Sequence, residues 1–167
     1  MSNITQKTCS NVLYQARCAA STHNEQLKSR EGAADIMSID RGRLYRIESG
    51  VADPYPEEVH LMADLYGAPE LRNWYCRKKC PLGKNVPEVS ADVDLDRISI
   101  KAFSSLRKVS TVKDMLLDIV SDGIISQEEQ SDLDQIIQVL DELNEINQNL
   151  KNWSEKNRKK AICSSEE

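Results

Sequence analysis

Residues Ser29 to Gly50 read SREGAADIMSIDRGRLYRIESG, and this stretch decides the fold. Ser29 is a good N-cap for a short helix, REGAADIM, because its hydroxyl can accept a hydrogen bond from an otherwise unpaired N–H of the first turn. Ala33 and Ala34 are small enough to let another helix approach closely, and this helix stops near Ser38. Asp40 then caps a second helix, RGRLYRIE, in which Leu44 and Ile47 stand three apart on one face while Arg41, Arg43 and Arg46 point elsewhere. Gly50 follows where a helix end favours positive φ. The expectation is two short capped helices around a turn of two or three residues.

On the N-terminal side, Val12, Leu13, Ala16, Ala19 and Ala20 recur at helical spacing, which predicts a first helix from Asn11 to about Glu25. The polar THNEQLK stretch reads as a loop anchored by Leu27. On the C-terminal side, Pro54 and Pro56 open a fourth helix with Val59, Leu61, Met62 and Leu65 as its apolar positions. Gly67 closes it, and Pro69 starts a fifth, ELRNWYCRKK. Residues 1–80 thus read as five small helices. From Cys80 to Asp94 prolines, glycine and small polar residues interrupt the periodicity, so 81–94 reads as a linker.

Beyond it the pattern changes. Leu95, Ile98, Ala102, Ser105, Val109, Val112, Leu116 and Ile119 alternate three and four apart, the spacing of one long helix. Asp122-Gly123 breaks it, and Ser126 with Glu129 forms a capping box for a second helix from about Gln127 to Asn157, roughly 45 Å long at 1.5 Å per residue. The fold class is therefore all-α: five small helices, then a long antiparallel hairpin over 95–160 and a frayed tail, 161–167. One hairpin cannot cover so wide an apolar stripe. Leu133, Ile136, Leu140, Leu143 and Leu150 are the candidate dimerisation residues of a four-helix dimer, the alternative being a hairpin folded onto its own first half as a monomer.

The chain has 167 residues, 40% apolar but only 5% aromatic, with a net charge of −5, a composition against sandwiches and barrels. No apolar run is long enough for a membrane span or a signal peptide, and five unevenly spaced cysteines suit free thiols, so a cytoplasmic location is expected. Up to Lys84 there are 12 Lys+Arg against 10 Asp+Glu, and after it 10 against 17. A nucleic-acid site would therefore lie in the first half.

The string from Ser29 to Gly50, continued through Pro54 and Met62-Ala63-Asp64 to Gly67, resembles the helix-turn-helix of the phage-repressor-like, or XRE (xenobiotic response element), family of transcriptional regulators. The resemblance covers residues 11 to 80. It looks close to a subgroup from Gram-positive bacteria and their mobile elements with a similar YC…CP stretch and a helical tail. It implies a regulator that binds double-stranded DNA as a homodimer, repressing by occlusion, with the helix from Arg41 to Glu48 in the major groove. On that likeness Ser29 and Arg30 open the helix that contacts phosphate, and Arg41, Gly42 and Arg46 face base edges, flanked by Arg43 and Tyr45. Glu48 matches a buried acid that pairs with a first-helix arginine, here Arg17. Ser38 stands where a turn glycine is usual, Gly42 removes a side chain from a recognition position, and Gly32 lowers helix propensity by about 1 kcal/mol relative to Ala.

The chemistry agrees: the planar fork of arginine matches O6 and N7 of guanine, each bidentate pair discriminating by about 1–3 kcal/mol. Without the motif the same arginines would read as a solvated face beside Asp40 and Glu48. A second function class is a protein-interaction adaptor working through the hairpin, such as an anti-repressor, an antitoxin or a mobile-element regulator. Cys76-x3-Cys80 lacks a second ligand pair for zinc, and the loop from Asp118 to Glu129 has Val120 where a calcium loop needs an oxygen, so neither metal nor cofactor is expected. Two histidines without a nearby nucleophile or phosphate loop argue against an enzyme.

Overall fold

The computed structural model describes residues 10–90, 93–120 and 129–163, the last five by backbone alone. Every α or β element among them is an α-helix: α1 (Val12–Ala20), α2 (Arg30–Met37), α3 (Arg41–Glu48), α4 (Pro56–Leu65), α5 (Glu70–Lys78), α6 (Leu95–Val120) and α7 (Glu129–Cys163). Single 3₁₀ turns occupy Glu25–Lys28 and Gly83–Asn85. The chain divides into two compact units, Met1–Val86 with Arg158–Glu167, and Pro87–Asn157. Among the described residues, no helix is long and apolar enough to cross a membrane.

In the first unit α1, α2 and α3 start where side chains satisfy their leading N–H groups. Asn11 accepts from Leu13 N–H at 2.9 Å, and its amide donates to Ile47 C=O at 3.0 Å, so one residue caps α1 and ties it to the end of α3. Ser29 accepts from Gly32 N–H and Asp40 from Arg43 N–H, at 3.0 and 2.8 Å. Leu13, Leu27, Leu44, Ile47, Val59, Met62 and Leu71 fill one core, each buried large side chain contributing about 1.5–3 kcal/mol. Ala33 and Ala34 are fully buried, as the close approach of neighbouring helices requires.

Several expectations change here. Helix α1 ends at Ala20 rather than near Glu25, and the polar stretch after it winds into the 3₁₀ turn that buries Leu27. Leu61 is 44% exposed and lies outside the core of α4. Ser38 itself adopts the left-handed conformation, φ 54°, and Ile39 N–H closes the turn on Ala34 C=O at 3.0 Å. The serine thus takes a glycine's backbone at a cost of about 1–2 kcal/mol. Gly32 is required by contact: a Cβ there would sit 2.4 Å from Gln26 O, on the 3₁₀ turn.

In the second unit α6 and α7 run antiparallel, as the pairs Lys101–Glu145 and Lys108–Glu142 show, at 3.1 and 2.7 Å. Helix α6 buries every seventh residue, Ile98, Ser105, Val112 and Ile119. Near the closed end Val112 and Ile119 pack with Ile136, Met115, Leu133 and Val139. Ser105 donates to Glu142 at 3.1 Å, and Lys108 first, then Ser105, holds that carboxyl below its ordinary pKa.

This packing divides the candidate dimerisation set. Ile136 is buried inside its own hairpin, Leu133 packs on the same cluster and Leu143 is half-buried, while Leu140 and Leu150 remain exposed. The buried side of α7 moves from Ile136 and Val139 to Asn149. Leu95, Val109 and Leu116 stand exposed beside the buried stripe of α6. Part of the expected linker is also held: Asn149 accepts from Ser90 N–H at 3.1 Å and donates to Glu88 C=O at 3.3 Å. The expected break at Asp122-Gly123, the Ser126 cap, much of the loop weighed for calcium and most of the frayed tail lie outside the described residues.

Candidate nucleic-acid interface

Helix α3 divides lengthwise. Its inner side carries Leu44, Ile47 and Glu48, all buried, and its outer side carries Arg41, Gly42, Tyr45 and Arg46, all exposed. Glu48 has no exposure and is held by two arginines. Arg17 Nε donates to one carboxylate oxygen at 2.6 Å and Arg17 Nη2 to the other at 3.1 Å, while Nη1 donates to Leu27 C=O at 2.7 Å. Burial opposes the charge on Arg17, but the bond and charge of Glu48 outweigh it and hold the guanidinium above its ordinary pKa. The expected Arg17–Glu48 pair is therefore present.

Arg30 completes this network. Its Nε donates to Glu48 at 2.5 Å, and its guanidinium lies 5.7 Å from the Tyr14 ring centroid and 5.2 Å from that of Tyr45, both within the range of cation–π attraction. The half-buried Arg30 is thus fixed by a core carboxylate and two rings. Next to the Arg17 end, the Tyr66 hydroxyl is buried without a hydrogen-bond partner among the described residues, and burial, then the charge of Glu48, pushes its pKa up.

Arg43, expected beside the base-facing arginines, is committed inward. It forms a two-pronged pair with Glu58 at 2.8 Å on each side, donates to Asp53 C=O at 2.9 Å and lies over the Tyr55 ring. Glu58 also accepts from Tyr55 N–H at 2.6 Å, which caps α4. Burial acts to raise the pKa of Glu58, but the bonds from Arg43 and Tyr55 hold it below the ordinary 4.5. A carboxyl with a lowered folded-state pKa contributes stability above its unfolded value that is lost as pH falls through the folded one. Urea midpoints measured from about pH 6 to about pH 3 should therefore fall less steeply below 4.5 in Glu58→Gln than in the wild type; equal slopes would show that the pair adds nothing to acid stability.

Between the starts of α2 and α3 lies an open concavity of about 770 Å³, lined among others by Tyr14, Lys28, Arg30, Arg41 and Tyr45. Arg41 is 3.7 Å from Glu31 in a pair exposed on both sides, too solvated to immobilise it. Ser29, Arg30, Arg41, Gly42 and Tyr45 of the expected set meet in this one surface. Arg46 is exposed farther along α3, and Arg43 is turned away. Tyr14 and Lys28 were not singled out from the sequence. Lys28 directly precedes the Ser29 cap, a position from which its charge could have been assigned to the same surface.

Cys18, Cys76 and Cys80 are free thiols, and among the described residues no group of three or more His, Cys, Asp or Glu is placed to hold a metal ion. No protein-family model, curated protein or solved structure matches the chain.

Proposed function

We propose that the chain is a sequence-specific regulator of the phage-repressor-like, XRE kind, binding double-stranded DNA as a homodimer and repressing by occlusion in the cytoplasm. The observation that carries this reading is the outer side of α3, where Arg41, Tyr45 and Arg46 stand exposed beside a concavity lined by Lys28 and Arg30. Arginines on the exposed side of a short helix suit base edges in a major groove, and the flanking cations suit phosphates. Arg30 belongs to the phosphate side, Arg41 and Arg46 to the bases, and Arg43 to the fold.

The test is selection of bound sequences from a random duplex pool at near-physiological salt, since non-specific affinity is strongly salt-dependent. The expected result is a two-fold-related motif. Arg41→Ala/Arg46→Ala should lower affinity for it by about ten- to a hundredfold per lost bidentate pair, with an unchanged urea midpoint because both residues are exposed. An identical motif and affinity in the double variant would overturn the assignment. The uncovered apolar side chains of the hairpin favour a second reading, a protein-interaction adaptor. No enrichment at all would put that reading first.

A further inference from the structure

The second unit presents large apolar side chains that its own hairpin leaves uncovered. Phe103, Leu106, Leu117 and Val120 on α6 and Ile137 and Leu140 on α7 are between 47 and 70% exposed. The buried part of the hairpin is slight by comparison, with Ser105 and Glu142 forming a polar contact midway along it. Two helices make a single layer, whereas a stable core needs a second layer packed against it.

Charge indicates what supplies that layer. Helix α6 carries five Lys+Arg against three Asp, and α7 as far as Leu150 carries six Asp+Glu and no Lys or Arg. Within the hairpin Lys101–Glu145 and Lys108–Glu142 use one flank of this complementarity. Arg107 and Lys113 are exposed on α6, as are Asp134 and Asp141 on α7. The antiparallel register of the two observed pairs puts Arg107 level with Asp141 and Lys113 level with Asp134.

We propose that two copies pack hairpin to hairpin as a four-helix bundle whose two-fold axis runs along the helices, so that α6 of each copy lies against α7 of the other. With the axis in that direction, corresponding residues of the two copies share one height. The register between copies then equals the register within each, and Arg107 and Lys113 meet Asp141 of the partner subunit and Asp134 of the partner subunit. Leu106 and Val109 come level with the partner's Leu140. The 26 residues of α6 span about 39 Å, and two adjacent helices about 20 Å, a face of about 800 Å² per copy, the size of a standard stable interface. Both chains enter such a bundle at the same end.

This deepens the dimeric part of the proposed function and rests on that part alone, so it is tested on the full chain without DNA. Sedimentation equilibrium should show a dimer. Leu106→Glu/Leu140→Glu should be monomeric with unchanged helicity by circular dichroism, because both positions are exposed within one hairpin. Arg107→Glu/Lys113→Glu and Asp134→Lys/Asp141→Lys should each weaken self-association at least tenfold, and their equimolar mixture should recover the wild-type affinity as a heterodimer. A monomeric wild type, or a mixture that stays monomeric while the wild type dimerises, overturns the proposal. A dimer that behaves as described yet selects no DNA sequence supports this interface and removes the DNA reading instead.

Discussion

Replacing Glu48 by Ala is expected to destabilise the first unit by about 3–5 kcal/mol, the usual cost of removing one partner from a buried ion pair. The size follows from what is left behind. Arg17, itself 3% exposed, would keep its charge with only the Leu27 and Lys28 carbonyls to accept from it, and Arg30 would lose the carboxylate that holds it between two rings. Small domains have only about 5–15 kcal/mol in total, so the loss should be plain in urea unfolding. Glu48→Gln keeps the shape and one acceptor and should recover part of it. A loss below about 1 kcal/mol would mean that Arg17 finds water or another acceptor on relaxation.

The second large effect is expected at Gly83, which has no role in any helix interior. A Cβ at this residue would meet Cys76 O at 1.6 Å and Cys76 C at 2.5 Å, so the 3₁₀ turn Gly83–Asn85 lies directly on the backbone of α5. Because the obstacle is backbone, Gly83→Ala has to move the turn away from the helix, with a loss of about 1–3 kcal/mol. Gly32→Ala should lose stability for the same reason, against the gain of about 1 kcal/mol that helix propensity alone would give, since its Cβ would meet Gln26 O. Thermal unfolding of both variants checks this. A raised midpoint in Gly32→Ala would show that the turn over α2 yields easily.

What could be read from the sequence was mainly local. Ser29, Asp40 and Gly50 sit where capping and left-handed geometry demand them, and these requirements span only a few residues. The antiparallel hairpin was legible from its apolar repeat and the expected break. The side of α7 that faces α6 was not, because a seven-residue count finds an apolar stripe without saying which part of it the chain's own α6 covers: Leu140 and Leu150 remain exposed, and Ile136, counted for a partner, is used by its own hairpin. Arg17 with Glu48 came from resemblance alone, since nothing local joins residues 31 apart. The pairing of Arg43 with Glu58 had no local sign either. An arginine one position from two exposed ones looks the same in sequence whether it faces solvent or bridges to the next helix.

That lengthwise division of α3 has a consequence for how the molecule can change. Leu44, Ile47, Glu48 and the inward Arg43 are each bound to other parts of the first unit, so altering any of them alters the fold. Arg41 and Arg46 are exposed, and their exchange leaves the core as it is. On the proposed reading, new specificities would arise on an unchanged scaffold, two letters at a time, and descendants of this chain would diverge in what they recognise long before they diverge in shape.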